Sequence, residues 1–253
     1  MCDKPKRTPE WERGFKHLSD VQQYCSKYIA SWGSQAIPVD RIWCDTLFMR
    51  SVVALRSIAI LIHHDSVDDA AIIVRTLFEI EFQMGAIKSD RQIAVHLIQG
   101  AELARLKRLK KFRESDRPLP EGLTAEEIDR QQEEAKRIAK EVTKKYLAEQ
   151  AKLDNEYNTF YSAFSDIAHV SPVGLRHYVE NLAEVKGDAP KNIRINSCGS
   201  LFSPELVMGL ASATQLEILK IIREMRAEPI DDELQALLLE NGQIIYSVHQ
   251  KGL

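Results

Sequence analysis

The stretch Asp68 to Met84, DDAAIIVRTLFEIEFQM, decides the fold. Apolar residues occupy every side of a helical wheel drawn on it, the pattern of a helix surrounded by others rather than one lying on a surface. Its polar residues Asp68, Arg75, Glu79 and Gln83 share one face, the first two being two turns apart and the rest following at helical intervals. A second stretch, Glu156 to His169, EYNTFYSAFSDIAH, repeats the arrangement. There Asn158, Ser162, Ser165 and His169 recur at helical steps while Phe160, Phe164 and Ile167 point elsewhere. A polar group left without a partner in an apolar interior costs on the order of 1–3 kcal/mol, and more when charged. The two stripes are therefore expected to meet, with Arg75 or Glu79 in hydrogen-bonding reach of at least one of Tyr161, Ser165 and His169. Asp68–Met84 is expected to be the most buried long helix.

Working outward, helix starts and stops are written in capping residues and prolines. Pro9 opens a first helix that Ser31-Trp32-Gly33-Ser34 ends, and Pro38 suits the first turn of a second helix running to about His64. Ser66 with Asp69 marks the start of the central helix, and Ser89 with Gln92 the start of the next. From Glu114, ESDRPLPEGL reads as a loop. Thr124 with Glu127 then begins a polar helix, where Ile128, Ala135, Ile138, Val142 and Tyr146 form only a narrow seam. This segment, 124–150, is expected to face solvent or to carry the contact with a second copy or a partner protein. The second striped helix should stop at Ser171-Pro172, and Pro172 should start another through Val185. A turn follows at Lys186–Pro190, with extended chain at Ile193–Ile195. Ser203-Pro204-Glu205 starts a helix that lasts until Pro229, and a last helix from about Asp231 should stop at Asn241-Gly242, its tail docking back. The fold expected is all-α, about eight helices in a single bundle. An N-terminal helix (1–37) precedes a core bundle with both stripes (38–185), and a C-terminal helical pair (186–253) packs on it.

Composition narrows the functional classes. At 253 residues, with 44% hydrophobic and 28% charged residues and a formal charge of −3, the chain is an ordinary globular protein with no general affinity for polyanions. Cys2, Cys25, Cys44 and Cys198 lack CxxC pairing, the pattern of reduced thiols. The N-terminus has no apolar signal region, and Ile58–Ile62 before His63 is too short to span a bilayer, so a cytoplasmic protein without a membrane partner is expected. Neither a metal nor another cofactor is expected, because the paired Glu-x-x-His segments of a carboxylate metal bundle are missing. No strand-turn-helix elbow precedes any serine, which disfavours a hydrolase triad.

The candidate chemistry has three parts. Arg75 and Glu79, one turn apart, form an ion pair that either specifies packing or belongs to a site. His169, with Ser165 and Tyr161 at successive turns before it, can bring an imidazole and hydroxyls to one ligand, although a helix-end histidine is also favoured by the helix dipole alone. Arg105, Lys107, Arg108, Lys110, Lys111 and Arg113 crowd one helix end, where they are either a solvated face or a phosphate-binding patch for RNA.

The pairing of Arg75-Thr76-Leu77-Phe78-Glu79 with the later Tyr-x-x-x-Ser-x-x-x-His helix, Tyr161 to His169, resembles a prokaryotic all-helical family catalogued as a domain of unknown function. The likeness covers roughly Pro38 to Tyr178. In looser outline the chain is similar to HEPN proteins, helical bundles of toxin and antiphage systems, many of which are metal-independent ribonucleases marked by Arg-x(4 to 6)-His. Arg91 with His96, and Arg56 with His63, have that spacing. The likeness implies a dimeric helical protein that cleaves RNA or acts on nucleotides. In such an enzyme His169 would be acid or base and Arg75 would hold phosphate charge. The alternative is a non-enzymatic interaction module in which the stripes are internal polar glue.

Overall fold

The computed structural model describes residues 7–33, 39–114, 123–169, 179–180, 194–195 and 202–250. The chain is all-α. Helices α1 (Pro9–Ala30), α2 (Val39–His63), α3 (Val67–Ser89), α4 (Gln92–Glu114), α5 (Ala125–Ile138) and α6 (Lys144–Ala151) lead into a composite helix. That helix is made of α7 (Asp154–Glu156), a π-helical turn (Tyr157–Tyr161) and α8 (Ser162–Ala168). Helices α9 (Pro204–Met225) and α10 (Asp232–Gln250) close the chain. A two-residue antiparallel pairing sets β1 (Val179–Glu180) against β2 (Arg194–Ile195). At Val179–Glu180 the chain is extended where a helix from Pro172 through Val185 was expected, and the rest of that range lies outside the described residues. The loop core 115–122 and the turn at 186–190 lie outside the described residues.

The starts follow from side-chain caps. Thr8, Thr124, Thr143 and Ser203 each accept a hydrogen bond from a first-turn N–H of α1, α5, α6 and α9. Ser66 makes no such bond, and α4 is capped by Asp90, whose Oδ1 takes the Gln92 N–H at 2.9 Å, rather than by Ser89.

Helix α3 is the hub, packed against α2, α4, α6, α8, α9 and the π turn. Its inner residues Val74, Leu77, Phe82, Met84 and Ile87 are fully buried. It is nevertheless not the most buried long helix: thirteen residues of α9 are buried against eleven of α3. The reason is that α3 keeps a polar, half-exposed face, whereas α9 is enclosed by α1, α2, α3 and α10. One contiguous core joins Leu18 and Val21 of α1, Phe48 and Leu55 of α2, Phe164 of α8 and Leu216 and Leu219 of α9. The segments read separately as 1–37, 38–185 and 186–253 thus share a single interior.

Two further expectations give way. The polar helix from Thr124 is not continuous to Gln150, because Ala139–Thr143 is non-helical. Its first half, α5, forms a hairpin with α4 around a small separate core of Leu106, Leu109, Ile128 and Ala135. Its second half, α6, is built into the bundle, with Leu147 and Ala148 buried against α3. Helix α10 also runs through Gly242 to Gln250, since Ile244 continues its buried face and offsets the propensity cost of one glycine. The stretch Arg41–His63 is long and apolar enough to cross a bilayer, yet its inner face lies in the core.

Candidate functional site

Arg75 and Glu79 stand one turn apart on α3, with Arg75 Nη2 3.2 Å from Glu79 Oε1. The composite helix crosses in front of them. Ser162 N–H bonds back to Tyr157 C=O, the i→i+5 pattern of a π turn, and this brings Tyr157, Tyr161, Phe164 and Ser165 to the inward edge. Tyr161 stacks on Tyr157 with ring centroids 5.1 Å apart and meets Phe82 edge-on at 5.7 Å. Phe78 contacts Phe160 and Phe164 on the same side. This aromatic packing fixes where the hydroxyls point.

The two stripes meet. Arg75 Nε donates to Ser165 Oγ at 2.9 Å and its Nη2 to Tyr161 Oη at 3.2 Å. Tyr161 Oη donates to Glu79 Oε1 at 3.0 Å, and the Arg75 guanidinium lies 5.2 Å from the centre of its ring. Ser165 Oγ donates in turn to the Tyr161 carbonyl at 2.8 Å. A fourth partner comes from α6, where Lys144 Nζ pairs with Glu79 Oε2. The Arg75 and Glu79 side chains are 22% and 21% exposed and that of Lys144 is 41% exposed, so the cluster opens to water on the α6 side. Burial pushes the Tyr161 phenol up, an effect that Arg75 opposes, so its proton stays in place at neutral pH.

Other expected members lie elsewhere. His169 caps the end of α8 with its N–H on the Ser165 carbonyl at 3.0 Å, and its side chain is exposed; among the described residues the ring has no hydrogen-bond partner. Asn158 and Ser162 also face solvent. In the basic run, Arg105 is clamped by Glu102 at 2.8 and 2.6 Å. Lys107, Arg108 and Lys111 are exposed and Lys110 is half-buried, while the Arg113 side chain is outside the described residues. Leu106 and Leu109 alternate with these cations and seat α4 on α5, whose outer face carries Glu126, Asp129, Glu133 and Glu134, so the hairpin displays both signs of charge. Arg91 sits exposed in the turn before α4, whereas His96 is half-buried with its Nδ1 enclosed and unpaired. Neither touches the α3 cluster through a described contact. Arg56 and His63 do share a feature, a shallow depression of about 330 Å³ between α1 and α2 with Phe15, Gln22 and His64.

Periodicity does not single out Lys144, because the apolar seam from Ile128 to Tyr146 continues across the break between α5 and α6. The β-branched pair Val142-Thr143, with threonine in a capping position, was the available signal. Glu81 is not singled out either. Only 4% exposed, this carboxyl lines a cleft of about 380 Å³ with Gly85, Ala151 and Glu217, and burial, with Glu217 and Glu156 nearby, pushes it up to about 8. Among the described residues no group of three or more His, Cys, Asp or Glu is arranged to hold a metal ion.

Residues 42–186 match the model of a family described only as of unknown function. No curated protein and no solved structure matches the chain.

Proposed function

The chain belongs to DUF5677, a family of unknown function, and from that premise we propose that it acts on RNA or nucleotides, with Arg75 and Lys144 as the centre that holds phosphate. The observation that carries this reading is the convergence of two cations and the Tyr161 hydroxyl on the single carboxylate of Glu79, with Ser165 Oγ held on Arg75 and with the Arg75, Glu79 and Lys144 side chains reaching solvent. One positive charge of the pair is left over once Glu79 is counted. Glu79 and Tyr161 hold the guanidinium in one orientation, which is how a protein prepares a fork of N–H donors for phosphate oxygens. His169, exposed one turn beyond Ser165, is the group available to move a proton at a phosphate held there. The activity that combines these parts is metal-independent ribonuclease chemistry of the HEPN type, and a cytoplasmic toxin or antiphage effector is the setting it would suit.

A second reading has its own support. Both oxygens of Glu79 are taken, by Tyr161 and Arg75 on one side and Lys144 on the other, as expected of polar glue between α3, α6 and the composite helix. The two readings separate on the full chain with labelled single-stranded RNA and with free nucleotides, in the presence of chelator. In the first, His169→Ala lowers turnover by about 100-fold or more with the melting temperature unchanged, and Lys144→Ala weakens ligand binding. If the wild-type chain neither binds nor cleaves any of them, and Lys144→Ala lowers only the melting temperature, the cluster is glue and the protein an interaction module.

A further inference from the structure

Helix α2 turns its inner face, Cys44, Phe48, Leu55, Ile58 and Ile62, to the core. Its outer face is not the charged surface that such a helix ordinarily presents. Ile42, Met49, Val53 and Ile60 are 50%, 43%, 66% and 52% exposed. With the exposed Thr46, Arg56 and His63 they fall at alternating steps of four and three, the spacing of a coiled-coil seam. The stripe is continuous for about 30 Å at 1.5 Å per residue. Scattered exposed apolar residues need no account, but four large ones in a single row, with only Thr46 and Arg56 between them, on a rigid, already folded helix do.

The row is nearly palindromic about Ser51. Reversing it sets Ile42 against Ile60, Met49 against Val53 and Thr46 against Arg56, so that every large apolar residue meets another. A parallel arrangement would instead stack Arg56 on Arg56 and His63 on His63. Two such faces packed together remove on the order of 1,000 Å² from water, the lower end of what a specific dimer needs. The helix is already held by its own bundle, so little ordering entropy opposes association.

We propose that the chain forms a twofold homodimer in which α2 packs antiparallel on α2 of a second copy through Ile42, Met49, Val53 and Ile60. This surface is separate from the Arg75–Lys144 cluster, and either proposal can fail without the other. Arg50 lies beside the twofold and comes close to its mate, so the dimer tightens as salt rises. A partner with acidic flanks, or an anionic membrane, would instead be released by salt.

The test is sedimentation velocity on the full chain from about 1 to about 100 µM, a range that brackets a micromolar Kd. The expected result is a monomer–dimer equilibrium strengthened by salt. Val53→Glu and Ile60→Glu, both at exposed positions, should raise the dissociation constant at least about tenfold, with circular dichroism unchanged and melting unchanged at concentrations where the wild type is monomeric. Arg50→Cys should cross-link to its own copy under mild oxidation, whereas Ile42→Cys should do so only when mixed with Ile60→Cys. A monomer across the whole range, a dimer indifferent to both glutamate substitutions, or capture of this face by phosphatidylserine vesicles in place of dimerisation would overturn the proposal.

Discussion

At the scale of single residues, the cluster around Glu79 shows how far a spacing argument reaches. Arg75, Glu79, Tyr161 and Ser165 were legible because helical periodicity puts them on two faces and desolvation forces such faces together. Lys144 was not legible, since its place depends on where α6 crosses α3. His169 reads as an inward group only if its helix is regular to the end; here α8 stops at Ala168 and the ring turns to water. The energetic consequence is asymmetric. Arg75→Ala should lower the unfolding free energy by roughly 1–3 kcal/mol in urea titrations, because Glu79 and Tyr161 lose a partner in a site only about one-fifth exposed. His169→Ala should change it by less than about 0.5 kcal/mol.

Glu81 makes a prediction about pH. Its folded-state value of about 8 lies above the 4.5 of the free side chain, so the folded protein binds more protons between those values and loses stability as pH rises through 8. His17, lowered by burial, works in the other direction and only as pH falls below 6.5. Melting temperatures taken from pH 6.5 to 9 should therefore decline for the wild type. For Glu81→Gln, which keeps the shape and removes the charge, they should stay level; an equal decline in both would show that the carboxyl is not the source.

Among the elements, the break between α5 and α6 matters most. The narrow seam from Ile128 to Tyr146 suits a continuous outer helix, yet the chain gains more by stopping. Thr143 starts a new helix, Leu147 and Ala148 reach the core, and Lys144 reaches Glu79. What allows the close approach is Gly85 on α3, where an added Cβ would lie 2.7 Å from the Cβ of Ala151. The obstacle is a short, rigid side chain, so α6 itself must move. Gly85→Ala should cost roughly 1–3 kcal/mol despite alanine's better helix propensity. Under the phosphate-holding reading it should also weaken ligand binding by withdrawing Lys144. Ligand titration and chemical denaturation of the same variant check both effects.

For the whole molecule, the terminal helices are joined to the centre by polar contacts as well as by the core. Arg226, just past α9, pairs with Asp45 of α2 at 3.1 Å and lies 4.0 Å from the ring centre of Trp32, with only 8% and 6% of the two charged side chains exposed. Removing Arg226 leaves the buried Asp45 carboxylate with only the more distant Arg41, whose Nε lies 4.0 Å away. Arg226→Met should cost roughly 3–5 kcal/mol, and adding Asp45→Asn should recover part of the loss, a coupling that equilibrium unfolding of the double-mutant cycle measures.

By itself, the sequence determined the fold class, most helix starts and the identity of the two faces that meet. These follow from local rules: capping side chains, proline at the first turn, and a 3.6-residue apolar period. Tertiary structure alone decided which helix is most enclosed, that α10 passes through Gly242, that Lys144 completes the cluster, and that α2 leaves an apolar seam uncovered. Each of these depends on which surfaces lie across from one another. The free energy of burial belongs to the pair of surfaces, so periodicity along one helix reports that it has an apolar face without reporting what, if anything, covers it.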